Sequence, residues 1–112
     1  MKITLPLTAS AVLLTAMAAA SIWGWWLRGS EAELAVHFLW DGTPNRYAPA
    51  PFALSIVPLA AAFATLLFAV TPRFDPKVSA SPRLYKGLWL LVLLTLAAAH
   101  ALIVWHALTT AR

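Results

Sequence analysis

Tyr47-Ala-Pro-Ala-Pro-Phe-Ala-Leu-Ser-Ile-Val-Pro-Leu-Ala-Ala-Ala-Phe-Ala-Thr-Leu-Leu-Phe-Ala-Val-Thr-Pro72 decides how this chain must fold. It contains no Asp, Glu, Lys or Arg. A helix needs roughly 20 apolar residues to cross a hydrocarbon core about 30 Å thick, and this run supplies them. Proline suits a first helical turn, so the helix is expected to begin at Pro49 or Pro51. Thr71-Pro72 is expected to end it near Val70, because the residue before a proline avoids the helical region. Pro58 falls inside the span and should kink it, freeing a carbonyl near Leu54. In lipid that carbonyl needs a partner from a neighbouring helix, a hydroxyl or water, and Ser55 is a local candidate.

Two further runs, Ile3–Leu27 and Gly87–Ala111, also lack charged residues. Hydrophobic residues make up 62% of the chain and charged ones 11%, against about 45–50% and 25% in soluble domains. The expectation is therefore an all-α membrane protein. A single 1–112 domain would hold three transmembrane helices, about 3–27, 49–70 and 86–108. Lys2, an apolar run and Ala18-Ala-Ala-Ser21 also fit a secretory signal cut after Ala20. The apolar character continues through Ile22–Leu27, however, past where a cleavable signal turns polar, so the first helix is expected to persist. Trp23, Trp25 and Trp26 read as an interfacial aromatic belt. Tyr85 and Trp89 are expected at one interface and Trp105 at the other, with Trp89 and Trp105 about 24 Å apart along a helix. Alanine pairs spaced by four (Ala16 and Ala20, Ala60 and Ala64, Ala97 and Ala101) are candidates for close helix contact.

Orientation follows from Lys and Arg in short loops. Arg73, Lys77, Arg83 and Lys86 face only Asp75 in the second loop, whereas Arg28 and Arg46 in the first face Glu31, Glu33 and Asp41. The second loop and the N-terminus are expected on the cytoplasmic side of the membrane, the first loop and the C-terminus outside. Lys2 agrees with this and Arg112 counts against it. Against anionic headgroups each basic residue is worth about 1 kcal/mol. The net charge of +4 is too scattered for a nucleic-acid surface. Cysteine is absent, no nucleotide-binding or hydrolase motif occurs, and the apolar runs contain no carboxylate. Neither catalysis nor a cofactor is expected. His100 lies deep in the third span, where an ionisable group tends to face the bundle interior. A neutral imidazole bonded to a carbonyl or hydroxyl is expected there. His106, about 120° away around the helix, is expected to snorkel to the outer interface.

The first loop holds the polar chemistry: Leu34-Ala-Val-His-Phe-Leu-Trp-Asp-Gly-Thr-Pro-Asn-Arg-Tyr47. His37 and Asp41 would face each other if this segment were helical. The spacing matches no zinc pattern, and no metal is expected. Asp41-Gly42 and Pro44-Asn45 are turn pairs. Leu34, Val36, Phe38, Leu39 and Trp40 are too apolar for a freely solvated loop, so a structured lid folded onto the helix ends or lying in the interface is expected. Candidate partner-binding residues are His37, Phe38, Trp40, Asp41, Gly42, Pro44, Asn45 and Arg46, with Tyr47 as a further anchor.

Val36-His37-Phe38, then Gly42-Thr43-Pro44-Asn45-Arg46, Pro58 in the second helix and Asp75-Pro76 after it resemble the SdpI family of bacterial membrane proteins. The likeness is to the family's N-terminal domain, over roughly residues 10–105. Ala35 stands where the family often has proline, and Asn45 where it usually has aspartate. Full-length members carry six membrane helices. The resemblance implies an immunity protein that engages a secreted peptide toxin, or a signalling protein that holds a partner at the membrane. Alternatives are an accessory subunit of a larger membrane complex and a small-solute transporter, the latter requiring a homo-oligomer. The partners implied are the lipid bilayer and a peptide toxin or another membrane protein.

Overall fold

The computed structural model describes residues 1–110. Arg112, counted in the charge reading, lies outside them. Three antiparallel helices form a bundle: α1 Thr4–Arg28, α2 Ala50–Phe74 and α3 Pro82–Thr109. All three are long and apolar enough to cross a membrane. At 25, 25 and 28 residues they span about 37–42 Å, so their ends extend past the hydrocarbon. Between α1 and α2 lies a two-stranded antiparallel sheet, β1 Glu33–Phe38 and β2 Pro44–Pro49. All-α is thus an approximation, and the expected lid is a β-hairpin.

The hairpin follows from local chemistry. Asp-Gly between apolar, β-prone segments is a strong hairpin signal. Gly42 takes φ +89°, a left-handed conformation that costs an L side chain roughly 1–2 kcal/mol. Its N–H donates to the Leu39 carbonyl (2.9 Å), and the Leu39 N–H donates to Thr43 (2.8 Å). The ladder sets Glu33 opposite Pro49, Leu34 opposite Ala48, Ala35 opposite Tyr47 and Phe38 opposite Pro44, with the register shifting around His37. Ala50, the first residue of α2, donates its N–H to Ala32 (2.8 Å), which ties the base of the hairpin to the bundle.

The prolines of α2 account for how the helices hold together. A proline lacks the N–H that would bond the carbonyl four residues earlier. Pro58 and Pro72 both lie inside α2, so Leu54 and Phe68 each lose a helical donor. A hydroxyl from a different helix replaces each one. Ser21 of α1 donates to the Leu54 carbonyl (2.6 Å), and Tyr85 of α3 donates to the Phe68 carbonyl (2.5 Å). Ser55, the local candidate for Leu54, instead bonds Pro51 in its own helix (2.6 Å). Nor does the helix stop at Val70. With Phe68 satisfied by Tyr85, α2 continues through Pro72 to Phe74. Asp75 then ends it and caps a short 3-10 turn, Pro76–Ala80, accepting the Lys77 N–H at 3.1 Å. The third helix starts at Pro82 rather than near residue 86.

Two buried clusters fill the bundle. The one under the hairpin comprises Leu34, Ala50, Ala53, Leu54, Val104 and Ala107. The other comprises Met17, Ala61, Trp89 and Leu93, with Phe68 and Tyr85 partly buried against it. Trp89 is completely buried, contrary to its reading as a belt residue. Its ring stacks on Phe68 (centroids 5.6 Å), and its Nε1–H donates to Ser10 of α1 (2.8 Å). An indole can be buried when its N–H finds a partner, and Ser10 provides one. Close packing in α2 runs through Ala53, Ala61 and Thr65. Of the pair Ala60 and Ala64, Ala64 packs against the second cluster, while Ala60 is exposed. Trp23, Trp25, Trp26 and Trp105 are all exposed, around the end that carries the hairpin.

Candidate functional site

The hairpin is fixed to the bundle on one side and open on the other. Leu34 and Ala35 are buried, and the edge of Phe38 meets the His106 ring (centroids 5.5 Å, planes at 66°). His106 is therefore half-buried as the hairpin's seat, rather than snorkelling freely. From α1, Arg28 donates to the Ala107 carbonyl (2.7 Å). A cation at the C-terminal end of a helix complements the helix dipole.

His37 and Asp41 do not meet. The segment is a strand followed by a turn, not a helix, so the i, i+4 relation has no geometric force. The exposed His37 ring instead donates its Nδ1–H to Asn45 Oδ1 (2.5 Å) across the hairpin. This bond selects the Nδ1–H tautomer and leaves Nε2 of the neutral ring as an outward acceptor. Arg46, also exposed, is His37's ladder neighbour. Asn45 matters as the group that orients the histidine.

Asp41 has a local role. Its Oδ1 accepts the Thr43 N–H (2.9 Å), and that backbone bond, on a carboxylate in open solvent, holds its pKa below the ordinary value. A bond that favours the charged form is present above the usual carboxylate pKa. It is lost as pH falls through the depressed one. The protection of the Thr43 amide against exchange, measured relative to its intrinsic rate at each pH, should accordingly fall on acidification, and Asp41→Asn should flatten that dependence. Pro44 begins β2 opposite Phe38, where its missing donor is tolerated. Trp40, two residues before Gly42, has no contact that shields it: its relative exposure is 108%. Leu39 and Tyr47 are about half exposed (49% and 54%).

Of the eight candidate residues, the fold brings His37, Asn45 and Arg46 together. It sends Trp40 outward and Phe38 inward, and it uses Asp41, Gly42 and Pro44 to form the turn. Among the described residues no cluster of three His, Cys, Asp or Glu side chains could hold a metal.

Beneath the hairpin runs a second polar feature. Ser21 Oγ lies 2.6 Å from His100 Nε2 while donating to Leu54. One serine, one histidine and one carbonyl thus join all three helices in the membrane interior. The expected bond of His100 to a hydroxyl is present in this geometry. In the sequence Ser21 stands out only as part of a signal-like segment, and nothing there marks a polar role for Ser10 or Tyr85. The signal that could have found Ser21 and Tyr85 was a hydroxyl near the depth of each proline-orphaned carbonyl.

Comparison with family models, characterised proteins and solved structures finds no match to this chain.

Proposed function

We propose that this is a multi-pass binding protein of the bacterial plasma membrane. In this reading it acts like the N-terminal domain of an SdpI-type immunity protein, and its hairpin faces outward to engage a peptide toxin or a membrane-protein partner. The observation that carries the reading is the hairpin's two-sidedness. It is seated on Leu34, Ala35 and Phe38, yet it presents Trp40, Leu39, His37 and Arg46 to the exterior. Tryptophan and arginine, both exposed on this one hairpin, are residue types enriched at interface hot spots. A hairpin held by its other face loses little conformational freedom on binding. Charge supports the orientation: Lys2, Arg73, Lys77, Arg83 and Lys86 gather at the opposite end with only Asp75, the bias of a cytoplasmic face.

Expression in a strain sensitive to a secreted peptide toxin tests the reading. The expected result is protection that falls about ten-fold with Trp40→Ala or His37→Ala, the equivalent of one lost contact worth about 1.4 kcal/mol. Absence of protection by the unaltered chain would reject the immunity role. In the same cells an impermeant thiol reagent should label Ser30→Cys and not Ser79→Cys, and the reverse pattern would overturn the orientation. A proton-transport reading fits less well, because the His100–Ser21 chain ends on the Leu54 carbonyl, which has no proton to pass on.

A further inference from the structure

Between α1 and α3 an apolar groove of about 340 Å³ opens sideways toward the lipid. Ala16 and Ala20 line one wall, Ala97 and Ala101 the other, with Trp105 at its outer end. Ala20 and Ala97 also pack against the buried clusters, as close helix contact requires, whereas Ala16 and Ala101 are exposed on the groove. His100 also lines the groove and is 2% exposed. Its protonation pattern can be read from its neighbours. A serine hydroxyl has one proton, and the 2.6 Å contact of Ser21 Oγ with the Leu54 carbonyl oxygen places it there. Ser21 must therefore accept from His100, so Nε2 carries the imidazole proton and Nδ1 is a bare acceptor. Nδ1 has no hydrogen-bond partner among the described residues, although every fully enclosed side-chain nitrogen or oxygen has one. Nδ1 therefore keeps a small opening, and the groove is the space that His100 lines.

We propose that this groove binds a neutral amphiphile carrying a hydroxyl, which enters from the bilayer and donates its hydrogen bond to His100 Nδ1. Three observations select that occupant. The groove contains no charged side chain, so an ionic headgroup would be desolvated without compensation. Nδ1 lies five residues below Trp105, about 7–8 Å along the helix, at a depth where hydrocarbon offers a hydroxyl no other acceptor. Size argues against a whole helix: a rod about 10 Å wide over the 16 Å or so from Ala97 to Leu108 fills roughly 1,300 Å³, several times the groove. A small cavity with apolar walls and one directed polar atom is the usual form of a small-molecule site.

The test uses the full chain in lipid nanodiscs with a dodecanol probe bearing a diazirine in its tail. Dodecanol and dodecyl methyl ether serve as competitors, matched except for the donor. Label is expected on groove residues of α1 and α3, with dodecanol competing about ten-fold better than the ether, the worth of one hydrogen bond in an apolar site. His100→Leu removes the acceptor and leaves Ser21 its bond to the Leu54 carbonyl, so the two competitors should become equal. Ala101→Leu fills the groove and leaves the Ser21–His100 contact, and it should cut labelling about ten-fold by exclusion. Equal competition in the unaltered chain overturns the proposal, as does label spread evenly over lipid-facing side chains or undiminished labelling of Ala101→Leu. Efficient dimer formation by Ala101→Cys would mark the groove as a contact between copies and would also overturn it.

Discussion

Trp89→Ala is expected to cost about 3 kcal/mol of bundle stability, the low end of the range for deleting a buried aromatic ring. The low end applies because the separated helices are already in lipid, so the loss contains packing but little transfer from water. Two contributions remain. The ring's stacking on Phe68 and its edge contact with Tyr85 disappear, and a large void opens beside Met17, Ala61 and Leu93. Ser10, fully buried, also loses the Nε1–H it accepts. Trp89→Phe separates the two, since it keeps most of the packing and removes only the donor. Its expected cost is about 1 kcal/mol, the scale of one interhelical hydrogen bond in a membrane. Reversible unfolding in mixed micelles, followed by the fluorescence of the remaining tryptophans, measures both. A loss below about 1 kcal/mol for Trp89→Ala would mean that lipid refills the void and that this cluster does not organise the bundle.

The same residue shows why sequence reading reached the three spans but not their contacts. Helix length and charge-free runs are set by bilayer thickness, a one-dimensional constraint, and they identify α1, α2 and α3 directly. Which side of a helix faces its neighbours is harder to read, because lipid and protein interior are equally apolar and no hydrophobic period separates them. Trp89 therefore looked like any interfacial tryptophan, and Ala60 like Ala61. The hairpin was hidden for another reason. Asp41-Gly42 and Pro44 announced a turn, but Glu33–Phe38 is too short and mixed for its period to distinguish strand from lid. The His37–Asp41 pairing failed with the helix it assumed, whereas Asn45, a candidate partner-binding residue in a turn pair, is the histidine's hydrogen-bond partner. Most legible was the chemistry of Pro58. A missing N–H in lipid demands a donor, and that demand pointed to a neighbouring helix, a hydroxyl or water, though not to Ser21. Reading Pro72 as a terminator hid the parallel case of Phe68 and Tyr85.

Ser21→Ala tests that chemistry directly and is expected to destabilise the bundle by about 2 kcal/mol, more than one hydroxyl usually contributes. Interhelical hydrogen bonds in bilayers average about 0.6 kcal/mol, because the separated helices find substitute partners. Ser21 exceeds this average for two reasons. It satisfies two groups, the Leu54 carbonyl and His100 Nε2–H, so its loss strands both. The carbonyl's need also persists when the helices part, since Pro58 removes the donor within α2 itself. Assembly therefore relieves a cost that the isolated helix carries. Pro58→Ala returns an N–H to position 58 and with it the helical bond to Leu54. In that background Ser21→Ala should cost only about 1 kcal/mol, a coupling of about 1 kcal/mol in a double-mutant cycle. Additivity within about 0.3 kcal/mol would show that Leu54 does not depend on Ser21, and the proline would then be only a kink. A coupling near the expected value would mean that α2's proline stores a demand which α1 answers, so that a helix-breaking residue becomes a determinant of which helices associate.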